Sequence, residues 1–213
     1  GSAEQDHLLG ALTVASDGTV YATDSLLPLV YRLRPEADRL EMFFGSPMLS
    51  SLRGLALDED KQKLYVADHE TGVVVLDTSD RQQAWSLAVP ETLNLGGVEG
   101  LYFSGEYLVV IQNGISPNRV LRLELGEDGL GVIGVAPVVA ALPEFDGPTY
   151  GTMHDQTLYF FANSHWPYVN SGGEPIEGPL PDVRIMSTNI ADPEVQVVGE
   201  EVLRQLQEQQ RGG

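Results

Sequence analysis

Residues 53–77 read RGLALDEDKQKLYVADHETGVVVLD, and this stretch decides the fold. It holds a short apolar run, a polar turn at Asp58–Lys61, a second apolar run that ends in Asp68, and a third run after the next turn. Short runs rich in Val, Leu and Tyr that are separated by polar turns are typical of neighbouring antiparallel strands. We therefore expect three strands here, joined by tight connections.

The same pattern occurs four times along the chain. The repeats begin at Gly10, Gly54, Gly100 and Gly151, which lie 44, 46 and 51 residues apart. They open with GALTVASDGTVYATDS, GLALDEDKQKLYVADHE, GLYFSGEYLVVIQNG and GTMHDQTLYFFANSH. A third strand follows in each repeat (VYRLRP, VVVLDT, RVLRLEL, VRIMSTNI), and a fainter fourth follows that (LEMFF, AWSLAV, GVAPVVA, VQVV).

Four strands in each repeat of roughly 40 to 50 residues are typical of a β-propeller blade. The sequence thus predicts an all-β propeller of four-stranded antiparallel blades at 10–52, 53–97, 98–146 and 147–199. Residues 1–9 are a lead-in whose Gly1-Ser2 resembles an expression scar. Residues 200–213 are expected to form a short helix or a disordered tail.

Composition excludes several classes of function. The chain has no cysteine, which excludes disulfides, zinc–thiolate sites and thiol catalysis. Its formal net charge of −19, with two lysines and ten arginines, argues against a nucleic-acid partner. No apolar run is long enough to span a membrane. The acidity has two interpretations, solubility or attraction of a cation to one face, and the compartment stays open between cytoplasm and periplasm or secretion.

Polar residues recur at one end of the predicted inner strands. Because the first strand of a blade starts where the second ends, both positions reach the same rim of the channel. The residues concerned are Arg53, Glu99 and Asp146 near the first-strand starts, and Asp24, Asp68, Asn113 and Asn163 at the second-strand ends. Their oxygens suit Ca²⁺ or Mg²⁺. Alternatively, Asp and Asn at strand ends bind nearby backbone groups and have no further role.

The last repeat carries a long loop, SHWPYVNSGGEPIEGPLPD, after its second strand. Long loops in compact domains are often functional, although such a loop can also be a packed surface excursion. His165 is a candidate base there, and the rings of Trp166 and Tyr168 would wall a ligand pocket or pin the loop. The chain has no nucleophile elbow, H-E-x-x-H motif or phosphate-binding loop.

The runs LTVASDGTVYATDS, LRGLALDEDKQKLYVADHETGVVVLD, VEGLYFSGEYLVVIQNGISPNRVLRL and TLYFFANSHW resemble a known group. They are similar to the SMP-30/gluconolactonase-like six-bladed propellers, most closely to a poorly characterised bacterial branch, over roughly residues 8–190. The resemblance implies a divalent metal, most commonly Ca²⁺, and hydrolysis of a lactone or similar ester. The family's metal-binding Asn before Gly-Leu corresponds to Glu99. Its later Asp corresponds to Asp146 by local sequence and to Tyr150 by strand register, and its N-terminal glutamate has no counterpart.

Two functional hypotheses follow. The first is a metal-assisted hydrolase of a small lactone or ester. In it Glu99 and Asp146 hold the metal, Asn113 and Asn163 are further ligands or substrate contacts, and His165 is a candidate base. The other substrate contacts are Arg53, Asp68, Trp166 and Tyr168. The second is a non-catalytic propeller that serves as a ligand-binding or protein-interaction scaffold.

The number of blades leads to an expectation about partners. The resembled group has six blades, whereas four are recognisable here. This fits a fragment of a six-bladed ring, a naturally short family member or a ring completed between chains. The lateral faces of the first and last blades would then be uncovered, and uncovered apolar faces associate. We therefore expect a homo-oligomer formed through these faces, with a small molecule as the other partner.

Overall fold

A computed structural model describes residues 6–105, 107–170, 174–176 and 178–192, and the backbone alone of 195–197. The described chain forms four sheets, each of four antiparallel strands in sequence order, arranged as blades around a central channel. The predicted β-propeller fold is therefore confirmed. The expected helical or disordered tail at 200–213 lies outside the described residues.

Blades 1 and 2 occupy the first half of the chain. Blade 1 consists of β1 (Leu9–Val14), β2 (Val20–Asp24), β3 (Leu29–Leu33) and β4 (Glu41–Gly45). Blade 2 consists of β5 (Leu52–Asp58), β6 (Lys63–Asp68), β7 (Gly72–Asp77) and β8 (Ala84–Ser86).

Blades 3 and 4 follow with the same order. Blade 3 consists of β9 (Val98–Ser104), β10 (Tyr107–Gln112), β11 (Arg119–Leu125) and β12 (Val132–Ala140). Blade 4 consists of β13 (Gly151–His154), β14 (Thr157–Phe161), β15 (Ile185–Asn189) and β16 (Val195–Val197). The long loop between β14 and β15 contains one turn of 3-10 helix, Trp166–Tyr168. No helix among the described residues has the length and apolarity needed to cross a membrane.

Three apolar clusters hold neighbouring blades together. Blades 1 and 2 share a cluster that includes Tyr21, Phe43 and Leu64. Blades 2 and 3 share the largest cluster, around Tyr65 and Leu108, and blades 3 and 4 share one. Because successive strand residues point to opposite faces of a sheet, a middle blade contributes alternate residues to each of its two clusters. The alternating apolar residues of each repeat therefore pack one blade against the next.

The inner strands of blades 2 and 3 come very close to one another at Gly54. A Cβ at Gly54 would lie 2.5 Å from the backbone nitrogen of Leu101 and 2.9 Å from the carbonyl oxygen of Glu99, both on β9. Real Cβ atoms do not sit that close to backbone, so an alanine would force β5 and β9 apart. The glycine that marks the second repeat in the sequence therefore has a packing function at the channel.

We predict that Gly54→Ala destabilises the protein by about 2 kcal/mol, within the range for overpacked sites. Gly131→Ala is the matched control, because a Cβ there would have its nearest neighbour at 3.7 Å and no positive φ opposes it. Urea denaturation of the two variants and the parent measures the difference. Equal stability of the two variants would contradict the close approach of β5 and β9.

Candidate functional site at the mouth of the channel

The strand register places the first-strand starts and second-strand ends at one rim. Leu9 pairs with Asp24, Leu52 with Asp68, and Val98 with Gln112. In blade 4 an isolated bridge joins Asp146 to Asn163. The strand-end position of blade 3 is therefore held by Gln112, and Asn113 lies one residue beyond it.

Two buried carboxylates at this rim bind backbone groups. Oδ1 of Asp24 accepts hydrogen bonds from the backbone nitrogens of Leu8, Leu26 and Leu27, and its Oδ2 contacts His7 Nδ1 at 2.6 Å. Asp68 accepts from the backbone nitrogen and the hydroxyl of Ser50, at 2.8 and 2.9 Å, and from the Glu70 nitrogen. Both side chains are fully buried.

The pKa of Asp68 lies below its ordinary value. Burial opposes ionisation, but the hydrogen bonds from Ser50 and from the Glu70 backbone outweigh that cost. The pKa of Asp24 is lowered in the same way, against burial, by His7 and the backbone donors. Hydrogen bonding to the charged form is the dominant influence on both groups. These carboxylates act as backbone caps.

Gln112 and Asn163 fill the same role with amides. Gln112 Nε2 donates to the carbonyl oxygens of Asn94 and Gly96, and its Oε1 accepts from Arg119. Asn163 Nδ2 donates to the carbonyl oxygen of Asp182, and its Oδ1 accepts from the Arg184 nitrogen. Both ends of the Asn163 amide are thus engaged by the segment that enters β15.

A different set of side chains meets inside the mouth. The residue directly before each repeat glycine lines one cavity, and these four residues are Leu9, Arg53, Glu99 and Tyr150. They stand at the start of the inner strand of each blade, so the four-fold repeat brings residues of distant sequence to one point. The Thr23 hydroxyl donates to the Arg53 carbonyl oxygen at 2.8 Å, which ties this position of blade 2 to blade 1.

The cavity encloses about 580 Å³, within the usual range for small-molecule sites. Its polar lining consists of Ser25, Arg53, His69, Glu99, Asn113, Tyr150 and Ser164. Its apolar lining consists of Leu8, Leu9, Leu26, Trp166 and Pro167, together with Gly10. The indole of Trp166 is 65% exposed, so it stands at the entrance.

An ion pair occupies the polar side of the cavity. Arg53 Nε lies 3.4 Å from Glu99 Oε2, and Tyr150 lines the cavity beside this pair. Burial raises the pKa of Glu99, although the positive charge of Arg53 opposes the shift. Burial and the charge of Glu99 raise the pKa of Tyr150 to about 12, so its hydroxyl stays protonated at neutral pH.

The structure brings together some of the residues predicted from the sequence. Glu99, Arg53, Asn113 and Trp166 line the cavity. Asn113 Nδ2 donates to the Pro148 carbonyl oxygen, and among the described residues its Oδ1 has no hydrogen-bond partner.

The other predicted residues lie outside the cavity lining. Asp146 is exposed and accepts a hydrogen bond from the Tyr168 hydroxyl at 3.0 Å. His165 Nε2 lies 2.9 Å from the Pro181 carbonyl oxygen, a contact that holds the long loop. Asn163 and Asp68 are the buried backbone caps described above. These five side chains hold turns and loops in place: Asp68, Asp146, Asn163, His165 and Tyr168.

Sequence reasoning noted two further residues of the cavity, Tyr150 by strand register and His69 by an offset that matches His165, but assigned neither of them a role at the site. Tyr150 precedes the repeat glycine Gly151, as Arg53 and Glu99 precede theirs, so strict repeat alignment is the signal that finds it. Local similarity to Asp-Gly pointed instead to Asp146. His69 directly follows the capping Asp68, and no pattern in the sequence distinguishes it from an ordinary loop histidine.

Comparison with known proteins supports the fold and leaves the family open. No protein-family profile matches the chain, and no curated protein matches its sequence. Solved structures do match. A chain of a nidogen–laminin complex has a TM-score of 0.66 and 16% identity, over 90% of this chain and 64% of that one.

Two enzymes are among the other similar structures. Hydrazine synthase of Kuenenia stuttgartiensis has a TM-score of 0.59 and 15% identity, over 94% of this chain and 53% of that one. A gluconolactonase of Xanthomonas campestris has a TM-score of 0.54 and 19% identity, over 71% of this chain and 53% of that one. The chain spans less than two thirds of each of these structures. At such identities the likeness establishes the propeller fold and nothing finer.

We predict that Asp68→Asn lowers stability by about 1–2 kcal/mol at pH 7, because an amide nitrogen cannot accept the Ser50 hydrogen bonds. The native pKa is depressed, so the carboxylate's contribution is complete above its unfolded pKa of about 3.9 and is lost as the pH falls through the lower folded value. The difference between variant and parent should therefore shrink in acid. Denaturation curves between pH 7 and pH 2 measure it, with Asp38→Asn, at a 94% exposed side chain, as the control.

We predict that Arg53→Met lowers stability by about 2 kcal/mol at neutral pH, because it leaves the Glu99 charge buried without its partner. Adding Glu99→Gln should recover most of the loss. The loss should also fade as the pH drops and Glu99, whose pKa is already raised, takes up a proton. A loss that is the same at pH 4 and pH 8 would show that Arg53 acts through packing alone. Arg39→Met, at an 89% exposed side chain, is the control.

Proposed function

We propose that the chain is a ligand-binding propeller that takes a small, neutral, oxygen-bearing molecule at the mouth of its channel. The observation that carries the proposal is the cavity itself, in which a polar side with Arg53, Glu99 and Tyr150 faces apolar walls that include Leu26 and Trp166. A few convergent polar groups in a mostly apolar concavity are the usual composition of such sites.

The charges favour a neutral ligand. Glu99 offsets the positive charge of Arg53, and the chain as a whole carries −19, so an anion gains little at this mouth. Arg53 Nη1 reaches the Leu52 carbonyl oxygen at 3.4 Å, while Nη2 has no partner within the described chain. That nitrogen can donate to a carbonyl or hydroxyl oxygen, and the Asn113 amide oxygen can accept from a hydroxyl. Lactones, esters and sugars carry such groups.

The donor set does not fit the divalent centre that the family resemblance implies. Hard cations take about six or more oxygen ligands, with carboxylates, carbonyl groups and waters among them. Glu99 is the single carboxylate among the described residues that line the cavity, and it is paired with a guanidinium. The described part of the chain holds no cluster of three or more Asp, Glu, His or Cys arranged for a metal. We infer that Arg53 supplies the positive charge at this mouth.

A second candidate is a hydrolase of a small lactone or ester, as in the SMP-30/gluconolactonase-like group. The observation in its favour is the raised pKa of Glu99, since a carboxylate that titrates nearer neutrality is a better general base. In such a reaction Glu99 accepts a proton from water as the water oxygen attacks the carbonyl carbon. The ring C–O bond then breaks and the leaving oxygen takes up the proton, which gives the hydroxy acid.

The test uses Trp166 as a reporter. Trp85, the other tryptophan, packs on Lys63 in blade 2 and lies outside the cavity lining, so Trp85→Phe leaves a single fluorophore at the mouth. We expect δ-valerolactone, glucono-δ-lactone or glucose, titrated into this variant, to change its fluorescence with saturation. Arg53→Met should weaken binding by about tenfold or more, as expected for one lost charge-assisted hydrogen bond. Arg39→Met should leave it unchanged.

Proton NMR of the same mixtures separates the two candidates. Binding without conversion supports the ligand-binding function, and lactone opening that Glu99→Gln abolishes supports the hydrolase. Absence of saturable fluorescence change with all three probes would count against both. A rise in melting temperature with Ca²⁺, Mg²⁺, Mn²⁺ or Zn²⁺ that a chelator reverses and Glu99→Gln removes would overturn the inference about Arg53.

A further inference from the structure

The outer face of blade 1, which points away from blade 2, is apolar and exposed. One row of cross-strand partners on it runs Leu12, Ala22, Tyr31 and Met42, and the next runs Val14, Val20 and Leu33. Leu12, Met42 and Val14 are 66%, 58% and 55% exposed, whereas the other four residues are half-buried or, at Ala22, buried. None of the seven side chains carries a charge. We call these seven residues the blade 1 outer face.

The equivalent rows of the next two blades are covered by the preceding blade. In blade 2 the row Leu55, Val66 and Val74 packs against blade 1, and in blade 3 the row Leu101, Val110 and Leu121 packs against blade 2. Each row contains the residue two positions before the strand-end cap, as Ala22 precedes Asp24. Blade 1 thus presents the kind of surface that packs against a preceding blade. Within the described chain blade 4 does not cover it, because β1 and β13 barely touch.

The outer face of blade 4 has a different composition. Its rows are Thr152, Tyr159 and Ser187, then His154, Thr157 and Asn189, with Phe161 and Ile185 at one end. Threonine and asparagine at the centre of an interface would lose water without gaining matched partners. Stacking of blade 1 on blade 4 of a second copy is therefore unfavourable, and the sequence expectation that both terminal faces are alike does not describe their chemistry.

We propose that the blade 1 outer face is the interface of a two-fold symmetric dimer, in which two copies of this chain pack these faces against each other. An isologous contact needs a self-complementary surface, and an uncharged apolar face is one even on a chain of net charge −19. Four strands about 4.8 Å apart and about five residues long give a face of roughly 300 Å² in projection. Two such faces stacked would remove on the order of 1,000 Å² of accessible surface, at the lower limit for a specific interface.

Sedimentation velocity over a concentration series tests the association. We expect a reversible monomer–dimer equilibrium for the parent, and for Met42→Glu a dissociation constant raised by about tenfold or more, because two like charges then meet in an apolar contact. Thr152→Glu on blade 4 is the matched control and should leave the equilibrium unchanged. Circular dichroism at low concentration establishes that both variants stay folded.

Single cysteines test the symmetry, since the chain has none of its own. Under mild oxidation Val20→Cys should form disulfide-linked dimers and Thr152→Cys should not. A crosslink that forms only when these two variants are mixed would show head-to-tail stacking and overturn the proposal. A parent that remains monomeric to several hundred micromolar would also overturn it, and would leave the face to a further blade or to another protein.

Discussion

The buried cap at the end of the second strand in blades 1, 2 and 3 is the interaction on which the geometry of the mouth depends. Asp24, Asp68 and Gln112 each bind the backbone of the segment that enters the first strand of the same blade, at Leu8, Ser50 and Asn94. An unpaired buried backbone group costs about as much as a lost hydrogen bond, so the entering segment has one favourable register. That register fixes where the residue before the repeat glycine lies, and therefore whether its side chain enters the cavity.

Much of this fold was predictable from one chain, and the reason is physical. Propeller blades repeat the same lateral packing, so the same apolar alternation must recur, and it is visible from Gly10 onward. The site was predictable at Arg53 and Glu99, where blades 2 and 3 keep a spacing of 46 residues between their glycines. It was less so at blade 4, because 51 residues lie between Gly100 and Gly151. That longer interval leaves both Asp146 and Tyr150 as matches to the repeat, and local similarity is then a poor guide to register.

The same chemistry at the rim had two interpretations that sequence alone could not separate. A carboxylate at a strand end can bind a cation or a backbone nitrogen, and the residue type is identical in both cases. Burial decides between them here. Asp24 and Asp68 are enclosed together with backbone donors that need acceptors, so their oxygens are already used. Asp24 and Asp68 are interpreted as backbone caps because the chain places backbone N–H groups beside them that have no strand partner.

The ion pair between Arg53 and Glu99 determines the electrostatics of the cavity. The guanidinium of Arg53 brings a fixed positive charge to within 3.4 Å of the Glu99 carboxylate and helps to hold it in place. Burial still raises the pKa of Glu99, which means that the attraction to the guanidinium does not fully offset the cost of removing the carboxylate from water. A polar ligand that donates a hydrogen bond to this carboxylate would relieve part of that cost. The incompletely solvated Glu99 carboxylate therefore favours the binding of any small ligand that can donate a hydrogen bond to it.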